Sequence, residues 1–146
     1  MIKSVLIPVN DSQSIGVMLK KVVNIIDLSN ATIILVHISN PIPPAIFYDD
    51  SLLGSLISNK EHRQHCNKFA IRILAKYQKI LMNKYSIELL HLYDVDVADG
   101  IIKAAKKTKV DIIAMPSHRY SGIKSILLSN NTQKVILNTK LPVLIL

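Results

Sequence analysis

The chain has 146 residues, enough for one domain whose core needs neither disulfide nor metal to hold it. With 49% hydrophobic and 19% charged residues it lies far from disordered composition, and its single cysteine, Cys66, excludes an intrachain disulfide and points to a reducing compartment. A formal net charge of +8 attracts anions, but there is no arginine-rich tract and no aromatic-studded strand, so nucleic-acid binding is not expected.

Residues 4–9 (SVLIPV) are short, apolar and rich in Val and Ile, the pattern of a strand. This run is too brief for a signal peptide, and no stretch reaches the length of a membrane span, so a soluble cytoplasmic protein is expected. Residues 14–28 place Ile15, Met18, Leu19, Val22, Val23 and Ile26 at three- and four-residue spacing, which predicts a helix. Residues 31–38 (ATIILVHI) are apolar on consecutive positions, as strands buried on both faces are. A proline-rich stretch follows, and a mobile loop of about residues 39–58 is expected, with Ile46, Phe47 and Tyr48 available to cover a crevice or a partner.

Residues 60–84 predict a second helix with Phe69, Ile73, Ala75, Tyr77, Ile80 and Leu81 inward, and residues 86–93 (SIELLHLY) a third strand. Residues 97–107 carry Ile101, Ile102 and Ala105 on a helical face, and residues 111–115 (DIIAM) read as a strand. A last helix over 132–138, with Val135 and Ile136, precedes a final strand over 142–146 (PVLIL). Lys20, Lys21, Lys103, Lys106 and Lys107 fall between apolar positions and read as solvated helix faces.

This alternation implies a single α/β domain over residues 1–146: a five-stranded parallel sheet with helices on both faces. The usual order for such a sheet is 3-2-1-4-5. It reverses between the first and fourth strands, and ligands bind beyond the strand ends at that reversal. The loop after Val9 should therefore face the loop after Met115.

Several nucleotide chemistries are excluded. The chain has no G-x-x-x-x-G-K-[ST] and no G-x-G-x-x-G. A phosphoreceiver domain would need a Lys after its last strand, and here Lys140 precedes it. Ser117 is followed directly by His118, with no G-x-S-x-G elbow.

The motifs resemble those of the universal stress proteins. "VLIPVNDS" is similar to that family's opening V-P-V-D-G-S, and "ATIILVHI" to its second strand ending in V-H-V. "DVADGIIKAAKKTKVDIIAMPSHRYSG" resembles its third helix and fourth strand, and "NTQKVILNTKLPVLIL" its closing segment. The resemblance implies the 3-2-1-4-5 sheet and a homodimer joined through the last strands, here Val143, Leu144, Ile145 and Leu146. An uncharged apolar edge strand such as PVLIL independently calls for a partner.

The family's ATP-binding members carry G-x2-G-x9-G-[ST] after the fourth strand, where glycines let backbone amides approach phosphates at a helix start. Here the four positions hold Pro116, Arg119, Ser129 and Asn130. Pro116 removes an amide donor, and Arg119 puts a long side chain where backbone should close on phosphate. Asn10 stands where the family commonly has an Asp that contacts the nucleoside, with Asp11 beside it. "NNTQ" reads as a helix start capped by Asn130, with Gln133 three residues on.

A vestigial nucleotide pocket is thus expected. Pro8, Val9, Asn10, Asp11 and Val36 would come from the first two strands and their loops. Met115, Ser117, His118, Arg119, Gly122, Ser129, Asn130, Asn131 and Thr132 would come from the phosphate loop and its flanks. His37 reads as a packed strand histidine near it. His62, His65 and Cys66 share a helix side, but a solvated face is expected there and no metal site.

The expected function is a homodimeric stress-survival binding or adaptor module, acting on protein partners, with no catalytic residue, no cofactor and no dependence on ATP. The alternative is a member that binds ATP or AMP through Arg119 and Lys124. A third reading is a basic nucleic-acid-binding protein.

Overall fold

A computed structural model describes residues 1–44, 58–82, 84–117 and 128–146. In chain order the elements are β1 (Ser4–Pro8), α1 (Gln13–Ile25), β2 (Thr32–Ser39), α2 (Asn59–Leu81) and β3 (Ser86–Tyr93). They are followed by α3 (Val97–Thr108), β4 (Ile112–Met115), α4 (Asn130–Asn138) and β5 (Val143–Ile145). All pairings are parallel and the sheet order is β3-β2-β1-β4-β5, as expected from the sequence.

The consecutive apolar residues of β1 explain the layering. Val5, Leu6 and Ile7 are all fully buried, yet they alternate sides. Val5 and Ile7 join a core with α1 and α2, whereas Leu6 joins a second core with α3 and α4. Each such side chain contributes roughly 1.5–3 kcal/mol on burial. The inward stripe of α2 is Ala70, Ile73, Leu74, Tyr77 and Leu81. Ile80, expected inside, is 47% exposed because it lies one position off that stripe, and Ile136 in α4 is likewise exposed.

Helix starts are set by side-chain caps. Ser12 accepts from Ser14 N, and Asp96 accepts from both Ala98 N and Asp99 N. Ser58 and Glu61 form a reciprocal capping box. The expected cap of α4 is corrected by one residue. Ser129 Oγ accepts from Thr132 N at 3.2 Å and lies 2.9 Å from Thr132 Oγ1, so Asn130 is the first helical residue. Gln133, expected to complete a capping box, donates to the Leu128 carbonyl instead.

The proline segment is shorter than 39–58 at both ends, since Ser39 closes β2 and Ser58 caps α2. Ile46, Phe47 and Tyr48 lie outside the described residues. Gly100 lets α3 press on the sheet: a Cβ there would lie 2.7 Å from Ile38 Cγ2. Among the described residues no helix is long and apolar enough to cross a membrane.

Candidate functional site

At the reversal between β1 and β4, a cavity of ≈ 210 Å³ opens beyond the strand ends. Pro8, Val9, Asn10, Val36, Met115, Ser129, Asn131 and Thr132 line it, so the structure brings these expected residues together. Ser14, Ile15, Val97 and Ile101, which the sequence reading did not include, also line it, from the N-terminal ends of α1 and α3. The signal for them was available: in a doubly wound sheet, the helix starts flank the strand ends. His37, Ile38 and Pro116 complete the wall.

Three expected members among the described residues are elsewhere. Asp11 turns outward to Lys76, 3.6 Å away, because Asn10 takes the inward place in the turn. Asn130 is exposed on the first turn of α4. Ser117 does not line the cavity; its N–H donates to the Leu146 carbonyl at 2.6 Å and extends the β4–β5 ladder. His118, Arg119, Gly122 and Lys124 lie outside the described residues.

Several polar groups of this cavity are engaged within the chain. Asn10 Oδ1 accepts from Ser12 N at 2.8 Å in a local side-chain turn. Tyr77 Oη reaches over from α2 to 3.0 Å from the Asn10 carbonyl and 3.1 Å from that of Ser12. Buried His37 has Nδ1 2.8 Å from the Val9 carbonyl, which fixes the proton on that nitrogen. The Ser129 hydroxyl serves Thr132, itself fully buried. Pro116 has no N–H to offer.

No lysine or arginine lines the cavity among the described residues. Two nearby lysines are held by carboxylates: Lys103 Nζ donates to Asp94 Oδ2 at 2.6 Å, and Lys134 Nζ to Asp96 Oδ2. The hydrogen bonds from these lysines hold the Asp94 and Asp96 carboxyls below their ordinary range, and the lysines are raised in turn.

Near the end of β2, His62 Nε2 lies 2.8 Å from the Asn40 carbonyl, and Cys66 Sγ lies 3.5 Å from that nitrogen. Among the described residues no group of three or more His, Cys, Asp or Glu side chains is placed to hold a metal ion. At the sheet edge, Val143 and Ile145 pack toward the α3–α4 core, and Leu144 and Leu146 toward the α1–α2 core, all four half-buried. The Leu146 N–H and carbonyl both bond toward β4, so by alternation Val143 and Ile145 turn their backbone groups to the outer edge.

Solved structures share the fold. The chain aligns with the hypothetical protein MJ0577 at a TM-score of 0.71 and 24% identity, over 100% of this chain and 96% of that one. It aligns with a universal stress protein from Archaeoglobus fulgidus in complex with dAMP at 0.67 and 17% identity, over 99% and 98% of the two chains. It aligns with a universal stress protein family protein from Arabidopsis thaliana with AMP bound at 0.62 and 14% identity, over 99% and 90%. No curated protein matches the sequence. The model of the universal stress protein family matches residues 1–146, and the chain belongs to that family.

Proposed function

We propose that this universal stress protein is a homodimeric binding module in stress survival that does not depend on ATP and has no catalytic role. One observation carries the reading. In the crevice where a nucleotide would sit, Asn10 Oδ1, His37 Nδ1 and the Ser129 hydroxyl already bond within the chain, and no cation lines the described wall. A triphosphate needs several charge-assisted donors; Pro116 and Ser117 contribute no free amide toward it. The test is the nucleotide content of the purified protein after denaturation. Less than a trace per chain is expected, and adenine nucleotide near one per chain overturns the reading.

A second reading is supported by the related proteins that hold dAMP and AMP, and by the cavity's place at the strand reversal. Here an adenine nucleoside monophosphate occupies the crevice, with Arg119 and Lys124 supplying charge. Thermal shifts separate the two. Under the second reading AMP at 100 times its Kd stabilises by about 2.7 kcal/mol; under the first, neither AMP nor ATP moves Tm.

The homodimer would form through β5, whose outer backbone groups and apolar side chains invite an antiparallel partner strand. Proline is tolerated where an N–H faces an open edge. Ile145→Pro should therefore leave the β4–β5 ladder in place and give a monomer on size exclusion. A folded variant that still elutes as a dimer removes the strand-pairing proposal.

A further inference from the structure

A larger cavity, ≈ 580 Å³, lies at the opposite end of the sheet, between the turns that lead from α3 into β4 and from α4 into β5. Its volume falls in the range of roughly 300–1,000 Å³ typical of small-molecule sites. Its apolar wall comes from Ile102, Ala105, Val110 and Leu141. Three exposed lysines, Lys106, Lys109 and Lys140, stand at its rim, and no acidic residue lines it among the described residues. Among the described residues none of the three forms a salt bridge, unlike Lys103 and Lys134 nearer the crevice.

The bland explanation is that lysines at helix C-termini offset the macrodipole. It accounts for Lys106, in the last turn of α3. It covers the charge of Lys109 too, but not its backbone, which ends the helix in the left-handed conformation at φ 52°, the one non-glycine with positive φ among the described residues. Glycine is the usual occupant of that place because it has no Cβ. A strained lysine at a cavity rim points to a role for its side chain. Lys140 comes from the other turn, 31 positions on, and meets the same rim.

We propose that this cavity binds a small amphiphilic organic anion: a carboxylate held by the lysine ammonium groups, with an apolar body against the Ile102–Leu141 wall. An inorganic anion would leave that wall wet, and a neutral hydrocarbon would gain nothing from the lysines. The site is independent of the nucleotide crevice and stands whichever reading of that crevice holds.

The test is calorimetric titration of the full-length protein with decanoate, decyltrimethylammonium and inorganic phosphate. Decanoate should saturate at one per chain, and the other two should bind at least about tenfold more weakly. Amide NMR shifts should centre on Val110 and Leu141. Lys109→Gly separates binding from folding, because it relieves the left-handed strain while deleting the charge. Its Tm should hold or rise, while Lys109→Gly with Lys140→Gln should weaken decanoate about fivefold. Unchanged affinity in that folded variant overturns the proposal. So does phosphate binding as tight as decanoate, or shifts centred on Val9 and Thr132.

Discussion

The two ends of the sheet are built on opposite principles. At the strand C-termini, the crevice is small, and several of its polar atoms are used by neighbours in the chain. Lysines close to that end are neutralised by Asp94 and Asp96. At the strand N-termini, the cavity is larger and its three lysines have no acidic lining residue among those described. Position at the switch point gives a place for a ligand, but the groups that hold one must also be free. Among the described residues, location and free charge have parted company.

The comparison is tested most severely through α3, which starts at the crevice and ends at the lysine cavity. Gly100→Val drives a branched side chain into Ile38 and Asp94, and should cost about 1–3 kcal/mol in chemical denaturation. Because the whole helix must shift, decanoate affinity should fall as well; an unchanged affinity would show that the two ends are mechanically separate. A smaller effect should isolate the crevice. Tyr77→Phe removes the hydroxyl that clamps the Asn10 and Ser12 carbonyls and should cost about 1–2 kcal/mol. It should leave decanoate binding untouched, as Tyr77 is remote from the lysine cavity.

The smallest expected effect is in pH. Burial, and then repulsion from His37, lowers the titration of His91, so the unfolded chain takes up this proton first. Stability from this source is present above the ordinary histidine value of about 6.5 and is lost as pH falls below it. Asp94 and Asp96, held low by their lysines, add a further loss in the carboxylate range, in the same direction. A scan of Tm from pH 8 to pH 4 should therefore be flat and then fall, roughly in two stages. His91→Gln should remove the upper stage only, and a profile identical to the parent's would assign that stage to other groups.

The fold was legible in the sequence because both faces of the central strands are buried. That writes runs such as ILV in β2 and makes parallel pairing readable without knowing any contact. Caps were less legible: Ser129 and Asn130 are both good capping residues, and the choice rests on Thr132, whose hydroxyl returns to Ser129. Half-legible is the right description of the crevice. Residues next to strand ends could be placed, whereas the engagement of Asn10 by Ser12 depends on a side-chain rotamer. The lysine cavity could not be read at all. Lys106 reads as a solvated face until the second turn brings Lys140 to the same rim.

The bond from Ser117 N–H to the Leu146 carbonyl joins the start of the loop after β4 to the last residue of the edge strand. In a dimer paired along this edge, β5 would become a transmission element. A partner strand laid along the edge and an occupant of the loop would pull on one continuous stretch of backbone. Assembly and binding would then be coupled in both directions, each altering the other by the same factor.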